Sequence, residues 1–321
     1  MKEKHVAVWR SPAEVPANLG PTVVTIGVFD GVHRGHQVVV GRAVEQARTA
    51  GVPLVVVTFD PNPLVVVRPD AAQPDLVPVS ARAELLQLAG ADHVLVLPFD
   101  HERAKQPAAE FVDDVLIGLL RARAVVVGAD FRFGHRAAGD VALLEQLGAD
   151  RGYTVVVVEP VGGAGVPRWS STYIRDRIAA GDVAAAAEAL GRPVRVTGVV
   201  VRGEQRGRAL GFPTANIPVR DGELVPADGV YAGRLTRLDQ GPEPEPAMPA
   251  AISVGTNPTF GDEARTVEPY VLDRDDLELY GRKVTVEFVA RIRDQHRFDS
   301  AAELVAQMHD DVAAARRVLD G

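Results

Sequence analysis

The sequence predicts an α/β domain built on a doubly wound parallel sheet, followed by a second, β-rich domain that folds as a small antiparallel barrel with a terminal helix. Three observations carry this expectation. Short Val-rich runs alternate with helical segments through the first half of the chain. After Arg192-Pro193 the alternation stops, and β-like runs follow one another separated by Gly, Pro and Asp. The length, 321 residues, suggests two domains at roughly 100–200 residues each. The boundary is expected after the last helix of the first half, giving domains of 1–190 and 191–321.

Thr22–Val28, Leu54–Phe59, His93–Leu97, Ala124–Val127 and Tyr153–Val158 are nearly unbroken by polar residues. That is how strands buried on both faces of a parallel sheet read. Helices are expected between them near 36–50, 80–89, 107–121 and 140–151, with Gly51 and Gly90 as C-terminal stops and Ser80 as an N-cap. Ser171 or Thr172 caps a further helix that stops at Gly181, and Asp182 caps an Ala-rich one that stops at Gly191. Barrel strands are expected at Val194–Val201, Gly229–Leu235, Pro249–Val254, Thr266–Leu272 and Lys283–Ala290. The Pro/Glu stretch Gly241–Pro246 reads as a solvated loop, and a helix over about 299–319 closes the chain.

Composition removes several function classes. With 35 basic and 43 acidic side chains the net charge is −8, so the basic excess of a nucleic-acid binder is missing. There are no cysteines, which excludes thiolate metal sites, disulfides and a Cys nucleophile. No run approaches the roughly 18 apolar residues that span a bilayer, and the start is too charged for a secretory core. A cytoplasmic protein is expected. None of the four lysines (Lys2, Lys4, Lys105, Lys283) precedes Ser or Thr, so a Walker A loop cannot form. There is neither a G-x-S-x-G elbow nor a zincin motif.

The first strand runs into Gly27-Val28-Phe29-Asp30-Gly31-Val32-His33-Arg34-Gly35-His36 and then a helix. In doubly wound sheets ligands sit at the carboxyl ends of strands, where helix N-termini offer free N–H groups to anions. Gly31 and Gly35 permit close approach to phosphate. His33 and His36, at i and i+3, project to one side and can donate to phosphates during in-line displacement. Three more loops follow strand ends: Thr58-Phe59-Asp60-Pro61-Asn62-Pro63, Gly128-Ala129-Asp130-Phe131-Arg132-Phe133-Gly134 and Ser170-Ser171-Thr172-Tyr173-Ile174-Arg175. Taken singly, each is equally a turn or a cap; together they line one edge of one sheet.

In the second half, Gly203-Glu204-Gln205-Arg206-Gly207-Arg208-Ala209-Leu210-Gly211 leads into Phe212-Pro213-Thr214-Ala215-Asn216. Glycines at that spacing suit a loop whose N–H groups approach phosphate, though a surface loop reads the same way. Thr214 and Asn216, two apart on an extended segment, share a face and offer neutral oxygens to Mg²⁺.

These strings resemble the prokaryotic bifunctional riboflavin kinase/FAD synthetase family over essentially the whole chain. The resemblance implies a Rossmann-like nucleotidyltransferase domain that adenylylates FMN to FAD with release of pyrophosphate, and a flavokinase barrel that converts riboflavin to FMN with ATP. His33 and His36 would stabilise the phosphates of ATP. Gly27, Phe29, Asp30, Gly31, Asp60, Asn62, Asp130, Arg132, Ser171, Thr172 and Arg175 would hold nucleotide and pyrophosphate. In the kinase, Gly203, Arg206, Gly207, Gly211, Phe212, Pro213 and Asn257, the last within Gly255-Thr256-Asn257-Pro258-Thr259, would bind ATP and flavin. Thr214 and Asn216 would bind Mg²⁺, and Glu268 would take the proton of the ribityl 5′-hydroxyl.

Ligands would be ATP, ADP, riboflavin, FMN, FAD and pyrophosphate, with no nucleic acid or membrane; a homo-oligomer is compatible with the sequence. Two positions depart from the family pattern. It usually has His at Asn62 and often Asn at Asp130, which bears on the rate of adenylyl transfer. The alternatives are a kinase with impaired adenylyltransferase, a stand-alone nucleotidyltransferase, and a non-enzymatic flavin-binding regulator.

Overall fold

The computed structural model describes residues 7–160, 169–203, 207, 210–220, 222–238, 246–256, 265–274 and 276–320. The chain divides into two compact units, residues 1–171 and 172–321.

The first unit holds a six-stranded sheet of β1 (Ala7–Trp9), β2 (Thr22–Ile26), β3 (Leu54–Asp60), β4 (His93–Pro98), β5 (Ala122–Gly128) and β6 (Thr154–Val158). Its order is β1-β4-β3-β2-β5-β6, and every pairing is parallel. The five expected strands are present. The sixth, β1, is only three residues long and too short to read as a strand.

Alternate residues explain the unbroken Val runs. Val24, Ile26, Val55, Val57, Val125 and Val127 pack into one core cluster, and Val23, Val56, Val94, Ala124 and Val126 into another. β2, β3, β4 and β5 are therefore buried on both faces, whereas the edge strand β6, expected to read the same way, is only partly buried because it has a neighbour on one side alone. α1 (Arg34–Ala50) and α3 (Val79–Leu88) cover the second face through Val40, Ala43, Ala47, Ala83 and Leu86. The first face is covered by α5 (Ala108–Phe111), its π-helical continuation Val112–Leu119, and α6 (Val141–Arg151). Two short helices, α2 (Pro63–Val67) and α4 (His101–Lys105), follow the carboxyl ends of β3 and β4.

Ser80 is not the cap of α3. The helix already begins at Val79, and Pro78, in extended conformation, takes the cap position, because proline cannot supply a helical N–H but fits ahead of the first turn.

The second unit begins with α7 (Ser171–Ala179, entering at Thr172) and α8 (Val183–Leu190), the latter capped by Asp182 and stopped by Gly191 at φ 72°. These helices therefore belong by contact with the β-rich unit. Six antiparallel strands follow: β7 (Val194–Val199), β8 (Ile217–Pro218), β9 (Gly229–Arg237), β10 (Met248–Gly255), β11 (Thr266–Val271) and β12 (Lys283–Arg293). Their order is β7-β12-β9-β10-β11-β8. An antiparallel bridge between Val201 and Asn216 draws the two edges together, so the sheet is a nearly closed barrel.

β8 is two residues long and carries no readable periodicity. Most of the Gly241–Pro246 stretch lies outside the described residues. α9 (Ala301–Asp320) packs on the barrel through Val312, Ala315 and Leu319. Among the described residues no helix is long and apolar enough to cross a membrane.

Candidate active sites

In the first unit the strand order reverses at β2, whose neighbours are β3 and β5. The loop after β2 therefore opens onto a topological switch point. That loop is backbone-strained: Phe29 (φ 50°), Gly31 (φ 78°) and Val32 (φ 41°) are all left-handed. Gly31 adopts this freely, but a β-branched Val pays for it. The buried Phe29 and Val32 side chains, 3% and 1% exposed, anchor the turn in the core.

The strained turn delivers His33 to the N-cap of α1, where its Nδ1 accepts from the His36 N–H at 3.3 Å. Nε2 of His33 is then the protonated, donating nitrogen. The two imidazoles stack with centroids 3.6 Å apart and planes at 20°, and Phe29 closes edge-on against His36 at 5.3 Å. Nδ1 of His36 is buried without a hydrogen-bond partner. Burial first, then His33 and Arg82, hold the His36 pKa well below its ordinary 6.5. The site thus presents two stacked imidazoles at a helix N-terminus, suited to an incoming polyphosphate.

Neighbouring loops attach to this turn. The Asp30 carboxylate accepts from the Leu76 N–H at 2.9 and 3.1 Å, and its carbonyl accepts from Ser171 Oγ at 3.0 Å. Arg34 lies over the Trp169 ring at 5.5 Å. Gly27 donates from its N–H to the Val57 carbonyl at 3.1 Å, joining the loop to β3. Asp60 ends β3 ahead of a cis bond to Pro61. Asn62 caps α2: its Oδ1 accepts from the Leu64 N–H and its Nδ2 donates to Asp75, both at 3.2 Å.

Asp130 and Arg132 follow β5, and Arg132 pairs with Asp140 at 3.1 Å. Thr172 and Arg175 lie on α7, at the start of the second unit. Arg82 and Asp75, which hydrogen-bond to each other and to Thr58 and Asn62 of the loop after β3, carried no expectation from the sequence. The available signal was a cation on the apolar stripe of α3, at 82 beside Ala83 and Leu86.

In the second unit, β11 pairs with β8 as Val267↔Ile217 and Thr266↔Pro218. Continuing that register by one places Asn216 opposite Glu268, and the Ala215 N–H to Pro269 O bond at 3.0 Å continues it further. Opposed residues share a face, so Asn216 and Glu268 lie on one side of the sheet, with Thr214 two residues before Asn216. Glu268 Oε1 accepts from the Thr266 hydroxyl at 2.9 Å, another contact the sequence did not announce.

Oδ1 of Asn216 is buried without a hydrogen-bond partner. A Cβ on Gly203 would stand 2.4 Å from Asn216 Nδ2, and one on Gly207 would stand 2.4 Å from the Phe212 carbonyl and 3.4 Å from Thr214 Oγ1. An orphaned oxygen in a cradle that only glycine leaves open fits a hard cation with neutral oxygen ligands. Gly211, at φ 88°, ends the loop. Phe212 packs edge-on against Tyr270 of β11 and His309 of α9, at 5.2 and 4.9 Å, and Pro213 connects it to Thr214. Arg206 and Asn257 lie outside the described residues.

Comparison with known proteins gives matches across both units. A family model described as FAD synthetase matches residues 15–173, and one described as riboflavin kinase matches residues 190–319. A bifunctional riboflavin kinase/FMN adenylyltransferase of Escherichia coli K12 is 37% identical over 92% of this chain and 91% of its own. Those of Pseudomonas fluorescens and Bacillus subtilis are 39% and 32% identical, each over 92% of both chains. A solved Streptococcus pneumoniae structure, titled a macrolide-efflux protein, superposes with a TM-score of 0.84 at 32% identity, covering 97% of this chain and 98% of that one.

Proposed function

The chain belongs to the bifunctional riboflavin kinase/FMN adenylyltransferase family, and from that premise we propose how its residues divide the work. The enzyme phosphorylates riboflavin to FMN with ATP and adenylylates FMN to FAD with release of pyrophosphate. Residues 191–321 carry the first step and residues 1–190 the second.

In the kinase, Glu268 takes the proton of the riboflavin 5′-hydroxyl as its oxygen attacks the γ-phosphorus, and ADP leaves with the broken bond's electrons. Thr266 holds the carboxylate in place. Thr214 and Asn216 would hold Mg²⁺, which neutralises phosphate charge when bound. Gly203, Gly207 and Gly211 let the backbone approach the phosphates, Phe212 and Pro213 set the Thr214 segment, and Arg206 and Asn257 are assigned by motif.

In the adenylyltransferase, an FMN phosphate oxygen attacks the α-phosphorus and pyrophosphate departs; the nucleophile is already ionised, so no base is required. His33 and His36 donate to the accumulating negative charge. Gly27, Phe29, Asp30 and Gly31 shape that turn, and Asp60 and Asn62 border it. Asp130, Arg132 and Ser171 hold nucleotide or pyrophosphate, with Thr172 and Arg175 assigned by motif. The absence of cysteine fits a cytoplasmic enzyme.

The observation that most supports the kinase assignment is the register placing Asn216, with its orphaned Oδ1, opposite Glu268. The test is to incubate the protein with riboflavin, ATP and Mg²⁺ and separate the flavins over time. FMN first and FAD second is the expected result. FMN accumulating without FAD would favour the second reading, an impaired adenylyltransferase, for which the spent amide of Asn62 is the specific observation. Bound riboflavin with no FMN would leave a flavin-binding regulator.

A further inference from the structure

Behind the paired histidines, Arg82 is a cation only 1% exposed. It donates to the Phe59 carbonyl at 3.1 Å, to Thr58 Oγ1 at 3.3 Å and to Asp75 Oδ2 at 2.9 Å. Thr58 in turn donates to the Val28 carbonyl at 2.8 Å. The other Asp75 oxygen accepts from Asn62 Nδ2. One guanidinium thus connects the strand-to-helix turn that carries the histidines to the loop after β3. The Asp30 to Leu76 bonds tie the same two segments a second time.

A buried guanidinium is an expensive way to fill this space, since an apolar side chain would spare its desolvation. Its neutralisation is also lopsided. Asp75 is 34% exposed while Arg82 is buried, so water screens the carboxylate more than the cation, leaving positive potential directed inward.

We propose that Arg82 is a positioning residue for adenylyl transfer: it fixes the Asn62 loop against the histidine turn and sets a buried positive charge behind His33 and His36, where polyphosphate charge must come to rest. The proposal rests on the assignment of those histidines to the phosphates. The lowered His36 pKa agrees with it, since the charged or titratable groups acting on that ring are His33 and Arg82.

The test uses the full chain and the variants R82M, R82K, D75N and H36Q. FMN-to-FAD conversion, riboflavin phosphorylation and the His36 titration midpoint by NMR are read for each. R82M is expected to slow FAD formation by roughly 10- to 100-fold, leave riboflavin phosphorylation unchanged and raise the His36 midpoint. R82K keeps the midpoint but recovers only part of the rate, because an ammonium cannot reproduce the fork. D75N, which removes the carboxylate that orients the guanidinium, is expected to slow FAD formation more than about twofold but less than R82M does. R82M forming FAD within about twofold of the parent, or losing rate with the midpoint unmoved, overturns the proposal. Should R82M not fold, FAD formation by D75N within about twofold of the parent overturns it instead. H36Q separates the two levels: if it forms FAD normally, the histidine assignment fails, whereas an inactive H36Q beside a normal R82M sinks the Arg82 role alone.

Discussion

Burial and its two cationic or titratable neighbours keep His36 neutral in the free protein at pH 7, so folding and protonation are linked. The folded-state pKa lies below the unfolded value, so as pH falls past about 6.5 the unfolded chain binds a proton that the folded one resists. Stability contributed by the neutral ring is complete above that pH and declines toward the folded pKa, by at most about 1.4 kcal/mol per pH unit. H36Q is therefore expected to flatten the fall in urea midpoint between pH 7.5 and 5.5; an unchanged slope would refute the linkage. His33, His36, Thr214 and Asn216 stand out in the sequence because their chemistry and spacing are local, whereas Glu268 is marked only through the family resemblance. Arg82 does not stand out, because its acceptors lie at Thr58, Phe59 and Asp75, and only folding brings them within reach. Thr266 escaped for a different reason: a threonine in a strand has an ordinary packing use, and only its 2.9 Å bond to Glu268 gives it another.

Among the elements, α9 illustrates how a helix can matter to a site it does not build. Arg293 of β12 donates twice to Asp311 of α9 at 2.7 Å, and Asp311 is 6% exposed. Two residues earlier on the same helix, His309 packs against Phe212, which precedes the Pro213-Thr214 segment. Removing one partner of a buried ion pair strands the other charge, at about 3–5 kcal/mol. D311A is expected to lower stability by that order and to raise the riboflavin KM as Phe212 loosens; a loss under about 1 kcal/mol would mean that the pair behaves as a surface one. The helix itself was readable from its length and pattern, whereas the latch was not, since its arginine lies in β12. Strands β1 and β8 stayed hidden because three and two residues hold no period, and pairing alone makes them strands.

For the whole molecule, two activities on one chain should be separable by variants in different units. E268Q is expected to abolish FMN formation from riboflavin while supplied FMN is still converted to FAD. Loss of both steps in E268Q would place Glu268 in the fold of the chain rather than in the kinase chemistry. The change of texture after Arg192-Pro193 marked where β-rich sequence begins, yet the contact boundary falls at 171/172. Helices α7 and α8 read as continuing the α/β pattern but pack with the barrel, as α8 does on β12 and the Ala227 N–H does on the Ile178 carbonyl.

The sequence by itself determined the two architectures and the main chemical strings, because hydrophobic period, turn residues and motif spacing are properties of contiguous chain. Tertiary structure alone decided which side chains face one another across a register, which cation lies behind the histidines, and which unit the connecting helices join. Those depend on residues far apart in the chain being buried together, where a lost hydrogen-bond partner or an unpaired charge costs most.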